Sequence, residues 1–302
     1  LSSDRETCLK YRGGSSEIGA VNRPSIDLVL PKMVLGPQRI VCLTEETTEW
    51  IYFLGQESRI VGISGYTVRP RRAREEKPKV SAFLTAKIDR IIGLKPDLVL
   101  GFSDLQADIA SELIRAGIQV TVFNQRSVIE IFSMLYQVGA MLGCGTKSLE
   151  WIKERQEALR AMQARVGAWR KAGRRLPRVY FEEWDEPQIS AIQWVSELLG
   201  IAGGVDIFPE LAQKSLGKDR IILDSKQVIA RAPDIIVGSW CGKKFRPEKV
   251  ACRPDWGSIP AIRDGHLYEI KSAEILQPGP AALTDGVEKL HSIISQWISQ
   301  HD

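Results

Sequence analysis

The chain has 302 residues, 44% hydrophobic and 26% charged, which fits one large or two medium globular domains with ample core. Its 41 Lys and Arg nearly balance 37 Asp and Glu, and the net charge of +4 gives no electrostatic case for nucleic acid or a membrane surface. No apolar run approaches the roughly 20 residues needed to span a bilayer, so direct membrane insertion is not expected.

Residues 1–36 read as an unpatterned N-terminal extension, rich in turn formers and without a sustained period. They lack the basic start, apolar stretch and small-residue cleavage site of a secretory signal. Met33 is read as the natural start, and an ordered arm packing on the first lobe is the alternative.

Residues 37–145 alternate between strand and helix and form a first α/β lobe. RIVCLTEETTEWIYFLG (39–55) reads as a strand, an acidic loop and a helix closed by Leu54-Gly55. VRPRRAREEKPK (68–79) is a charged, Pro-flanked segment, read either as a solvated connection or as an anion clamp or partner surface. IDRIIGLKPDLVLGF (88–102) gives a helix end, a Pro-Asp turn and a buried strand, and VTVFNQ (120–125) a further strand. About four parallel strands are expected in this lobe.

Residues 146–173 carry one interlobe helix, with Leu149, Ile152, Leu159, Met162, Val166 and Trp169 at three-and-four spacing. Residues 174–302 form a second lobe that repeats the plan of the first. RVYFEEWDEPQISAIQWVSELLG (178–200) is again strand, acidic loop and helix, with Leu199-Gly200 at its end. KQVIARAPDIIVGSW (226–240) repeats residues 88–102: Pro233-Asp234 falls 137 residues after Pro96-Asp97, and Gly238 the same distance after Gly101. In the last helix Trp297 is assigned to the core.

Two similar α/β units imply two lobes facing each other, with a ligand at the carboxyl ends of their strands. The loops expected there carry Glu45, Glu46, Tyr66, Phe83, Phe102, Ser103, Glu183, Trp184, Trp240 and Gln277. An aromatic-lined cleft with a few oriented polar groups suits a large, flat, partly apolar ligand. No catalytic site is assigned: the EEWDEP carboxylates have no His, Lys or nucleophile in their motif, and GxGxxG, GxxxxGK[ST] and GxSxG are missing.

Cys8, Cys42, Cys144, Cys241 and Cys252 form no CxxC pair, and the three histidines are scattered, so no metal site is expected. Cys42 and Cys144 read as buried small residues, and a Cys241–Cys252 bridge is left open.

The segments RIVCLTEETTEW, VGISGYTVRP, KVSAF, IDRIIGLKPDLVLGFSD, EEWDEPQISAIQWVSELLGIAGGVDIF and QVIARAPDIIVGSW, with the long central helix, resemble the substrate-binding proteins of metal-chelate ABC importers. Within that superfamily of helical-backbone receptors, SGY, KVSxF and WVSELLGIAGGxDIF resemble the vitamin B12-binding branch. The resemblance implies two similar lobes with parallel sheets flanked by helices, joined by one long rigid helix, in the manner of class III periplasmic binding proteins. It implies a monomer that binds cobalamin or a related corrinoid without turnover and without a prosthetic group. Ferric siderophore or haem binding is the alternative ligand class, and a multiply anionic siderophore would call on Arg69, Arg71, Arg72 and Arg126.

The implied partner is an ABC importer permease, docked through acidic lobe tips. Asp89 occupies that place on the first lobe, and Lys226 stands at the matching place on the second. The implied compartment is the periplasm. The unpatterned start and Lys226 leave a cytoplasmic corrinoid-handling protein or enzyme on the same fold as the alternative.

Overall fold

The Pro-Asp repeat builds the same device twice. In a computed structural model that describes residues 36–301, Asp97 accepts hydrogen bonds from the backbone N–H groups of Gln38 (2.6 Å) and Arg39 (2.8 Å), while its own N–H donates to the Arg39 carbonyl. Asp234 accepts from the N–H of Arg178 (2.7 Å) and donates its own to the Arg178 carbonyl. Each aspartate thus fixes the start of the neighbouring strand and its register, and Arg175 adds a two-pronged ion pair to Asp234. The proposed start at Met33, like Cys8, lies outside the described residues.

The first sheet contains β1 (Ile40–Cys42), β2 (Ile60–Ser64), β3 (Lys79–Ala82), β4 (Thr85–Ala86), β5 (Leu98–Phe102) and β6 (Val120–Phe123). Their order is β4-β3-β2-β1-β5-β6, and every pairing is parallel except β3 with β4. The sequence led us to expect about four strands. The KVSAF segment supplies one extra strand as β3, and Thr85–Ala86 just beyond it returns as β4.

The second sheet contains β7 (Arg178–Asp185), β8 (Gln188–Ser190), β9 (Val205–Asp206), β10 (Ile235–Gly238) and β11 (Leu267–Glu269). It runs β11-β10-β7-β8, with β9 beside the start of β7 and β8 its one antiparallel member. The repeat is visible in the pairing, since β10 lies against β7 as β5 lies against β1.

Helix Gly145–Lys171 joins the sheets, and its 27 residues span about 40 Å at 1.5 Å per residue. It buries Ile152, Leu159, Met162 and Val166 as expected, but Leu149 is exposed. One apolar cluster contains Leu100 of the first sheet, Met162 of this helix and Phe181 and Trp297 of the second lobe. The lobes therefore share a dry core on the hinge side, which limits how far they can open.

Gly55 follows its helix at φ +75°, as expected. The helix expected to stop at Gly200 runs on through Ala202, and Gly203 at φ +102° caps it. A Cβ at Gly203 would lie 2.8 Å from the Trp169 ring, so sterics as well as the left-handed backbone require glycine.

Candidate functional site

The carboxyl ends of both sheets come together where the lobes touch, and the ligand cleft is expected along this seam. From the first lobe Gln125 donates from Nε2 to the Pro278 carbonyl (3.1 Å), and Arg126 reaches from Nη1 to the Ser215 carbonyl (3.5 Å). Gly279 lies so close to Glu46 that a Cβ there would stand 2.4 Å from the Glu46 Cβ. Glu45 of the first lobe and Glu183 of the second both act on the Cys241 thiol, which desolvation and then these two carboxyls push up.

Thr44 is the extended N-cap of helix Glu45–Phe53, which places Glu45 and Glu46 in its first turn. Glu46 is buried, accepts a hydrogen bond from Thr44 Oγ1 (2.7 Å), and is pushed by burial to a pKa of about 7. It was expected among the ligand contacts and is instead part of the wall where the lobes touch.

Glu45 is half-buried, and burial, then Glu46 and Glu49, raise its pKa to about 8 against the opposing charge of Arg74. Near neutral pH Glu45 holds its proton and Glu46 is about half protonated, so Glu45 offers a neutral hydrogen-bonding group. Folded Glu45 therefore keeps a proton that the unfolded chain loses from about pH 4.5 upward. Its contribution to stability is full below that pH and falls away as pH rises to about 8. Glu45→Gln removes this loss, so thermal melts should show the variant more stable than the parent at pH 8 and equal to it at pH 4. Parallel pH profiles would mean that Glu45 is ionised in the fold.

Tyr66 is the most open of the predicted contacts, 58% exposed on the turn after β2. Its presentation depends on Arg74, whose Nη1 donates to the carbonyls on either side, Gly65 (2.8 Å) and Thr67 (2.7 Å). Gln106 does the same for the next two loops: its Oε1 accepts from the Phe102 N–H (2.9 Å) and its Nε2 donates to the Phe83 carbonyl (2.9 Å).

Phe83 is half-buried beside the cleft, whereas Phe102 is buried beneath the Arg126 guanidinium, 4.8 Å above its ring. Ser103 is also buried; it holds φ +62°, and its Oγ accepts from the Leu105 N–H. Phe102 and Ser103 were expected as contacts, and both are almost fully buried here. Gln277 is half-buried next to the Pro278 and Gly279 contacts.

In the second lobe EEW is strand rather than loop, because β7 continues through Asp185 and pairs with β8. Strand alternation then sends consecutive glutamates to opposite faces. Glu183 takes a two-pronged ion pair from Arg220 at 2.6 and 3.1 Å. Trp184 is half-buried, with its indole N–H on the Glu186 carbonyl and the Lys243 ammonium 4.1 Å above its ring. Glu182, 0% exposed, faces the outer core, where it receives Arg253 at 2.6 and 2.9 Å and the Tyr180 hydroxyl at 3.0 Å.

Trp240 corrects our reading most. It is 3% exposed, packs edge-to-face on Phe245 and donates its indole N–H to Glu182 (3.0 Å), so it belongs to the core. The chain turns after β10 so that Lys243, paired with Asp185, lies 5.1 Å from the centre of the Trp240 ring. Cys241 and Cys252 are free thiols, and Cys144 is half-buried at the start of the long helix. Asp89 and Lys226 are both exposed in the first turns of corresponding helices, Ile88–Gly93 and Lys226–Arg231.

Among the described residues no group of three or more His, Cys, Asp or Glu is placed to hold a metal ion, and no helix is long and apolar enough to cross a membrane.

Known proteins are similar to this chain in sequence and in fold. An uncharacterized ABC transporter substrate-binding lipoprotein, YvrC of Bacillus subtilis, is 25% identical over 264 residues, covering 84% of this chain and 79% of the relative. The vitamin B12-binding protein of Vibrio parahaemolyticus is 24% identical over 255 residues, covering 83% and 87%. Among solved structures, the periplasmic vitamin B12 binding protein BtuF of Vibrio cholerae superposes with a TM-score of 0.68 at 22% identity, covering 87% of this chain and 99% of that one. A periplasmic heme binding protein from Pseudomonas aeruginosa gives 0.73 at 21%, covering 85% and 92%. The profile of the periplasmic binding protein family matches residues 40–274, well over half the chain, and the chain belongs to that family of non-catalytic substrate-binding proteins.

Proposed function

We propose that the cleft binds cobalamin or a related corrinoid, one per chain, for delivery to an ABC importer permease. The observation that carries this reading is that, of the four arginines a multiply anionic chelate would call on, two are held in close ion pairs and one faces solvent, which leaves Arg126 alone inside the cleft. Arg69 lies between Glu49 and Asp285, each at 2.8 Å; Arg72 pairs with Glu57 at 2.8 Å; Arg71 points to solvent beside Glu75. What remains along the cleft beside Arg126 is Tyr66, Phe83 and Trp184 with the protonated Glu45, a wall suited to a broad ring edged with amides. The vitamin B12-binding relatives support the same ligand class, and family membership supports action outside the cytoplasm.

Haem is the competing ligand, because the open Tyr66 phenol could serve as an axial oxygen ligand to iron. Protein incubated with cyanocobalamin or haem and then desalted separates the two by its visible spectrum. Retention of the red corrinoid at one equivalent supports the proposal; retention of haem alone rejects it.

For the permease contact we propose Asp89 and Lys226, exposed at the same position of the two repeats. With a vitamin B12 importer permease in lipid nanodiscs as probe, Lys226→Glu should leave association intact or strengthen it at low salt. Loss of association would mean an acidic partner group at that point, unlike the permease implied by the resemblance.

A further inference from the structure

Arg126 stands on the loop after the edge strand β6, at the place where the two lobes touch. Its side chain is 12% exposed, stacked over Phe102 of the first lobe, and its Nη1 reaches the Ser215 carbonyl of the second at the limit of a hydrogen bond. A guanidinium carries five N–H donors. Here Nε and Nη2 are both buried without a hydrogen-bond partner. The nearest carboxylate, the largely exposed Asp104, stays 3.6 Å from Nη2.

The neighbouring charge makes this deficit larger. Burial disfavours the charged form of Arg126, and Arg220 adds to this, against the opposing effects of Asp104 and Glu130. Arg220 has its own carboxylate, Glu183, and so cannot share it freely. A buried cation with donors unfilled is costly to maintain, and the Nε–Nη2 edge is the side of a guanidinium that takes two oxygens of one anion in parallel.

We propose that Arg126 is an anion subsite within the cleft, which receives a two-oxygen anionic group of the ligand, a phosphodiester or a carboxylate. This inference rests on the corrinoid reading for its ligand. A complete corrinoid carries one phosphodiester in its nucleotide tail, and corrinoids with an unamidated side chain carry a carboxylate. One arginine fits one such group. An anion seated there would touch a residue that already contacts both lobes, so its binding would favour the closed cleft.

The test uses the whole chain and three ligands: cyanocobalamin, which has the phosphodiester; cobinamide, which lacks the tail; and cobyric acid, which lacks the tail but has a free carboxylate. Dissociation constants are measured for the parent, Arg126→Gln and Arg126→Lys. Arg126→Gln should weaken cyanocobalamin or cobyric acid by about tenfold or more, as expected for lost charge-assisted hydrogen bonds, and leave cobinamide within about twofold. Whichever ligand is weakened identifies phosphodiester or carboxylate as the group. Arg126→Lys, which keeps the charge and loses the fork, should fall between. Because the variant removes a largely buried charge whose nearest ion-pair partner is exposed and 3.6 Å away, its melting temperature without ligand should not fall.

Equal weakening of all three corrinoids, or of none while the parent binds them, would overturn the subsite. If the parent binds no corrinoid, the ligand reading fails, and inorganic phosphate tests the subsite separately. Phosphate should then raise the melting temperature of the parent and not of Arg126→Gln; the same response in both would overturn it.

Discussion

Glu182→Ala is expected to lower the unfolding free energy by about 3–5 kcal/mol, the cost of breaking a buried ion pair from one side. The carboxylate is fully buried, and four donor atoms converge on it: two from Arg253, the Tyr180 hydroxyl and the Trp240 indole. Removing it leaves all four facing a cavity and strands the guanidinium of Arg253 at the edge of the core. Chemical denaturation with fluorescence detection measures the loss. Glu182→Met combined with Arg253→Met should recover much of it, because apolar groups of similar volume leave no buried charge behind. The exposed Glu186→Ala is the control and should stay within about 0.5 kcal/mol of the parent. An unchanged denaturation midpoint for Glu182→Ala would show that the network is solvated and carries no stability.

The two tryptophans that the sequence places together at the cleft should separate in their effects. Trp240→Ala empties a site packed by Phe245 and removes a partner of Glu182, so a loss of about 3–5 kcal/mol in stability is expected. Trp184→Ala should leave the unfolding midpoint nearly unchanged, since the ring is half-buried and held by one backbone hydrogen bond and Lys243. Its effect should be on ligand: a truncated aromatic hot spot costs about 2 kcal/mol or more, roughly thirty-fold in the dissociation constant. Corrinoid absorption overlaps tryptophan emission, so binding should quench Trp184 most strongly, with Trp151 on the long helix as a partial reference. A Trp240→Ala variant of parental stability would contradict the core assignment. A Trp184→Ala variant of parental affinity would remove Trp184 from the site.

The two-lobe frame was legible because its repeat combines local signals with a fixed offset. Pro96-Asp97 and Pro233-Asp234 each precede a run of branched apolar residues, and each aspartate caps the same neighbouring strand. The long helix was legible from its period and lack of proline. The end of β7 was not, because Glu182, Glu183 and Trp184 look like a solvated loop when only neighbours in sequence are considered. The partners that make them strand residues, Arg253 and Arg220, stand 71 and 37 residues away. For the same reason Trp240 could be assigned to either side of its strand until its contact with Glu182 was known.

The charged segment 68–79 is largely exposed, as a solvated connection would be, but two of its arginines also have structural roles that its sequence did not announce. Arg69 ties Glu49 to Asp285 of the second lobe, and Arg74 holds the turn that presents Tyr66. No periodic or motif signal announces such roles, since they depend on where the turn after β2 places its carbonyls and where Glu49 and Asp285 place their carboxylates.

Isothermal titration of the purified chain with cyanocobalamin, haem and a ferric siderophore tests the central claim most directly. We expect saturable heat with cyanocobalamin at one equivalent per chain, recovery of the ligand chemically unchanged, and little heat with the siderophore. Saturable binding of haem or the siderophore without binding of cyanocobalamin would contradict the corrinoid assignment while leaving the fold and the family intact.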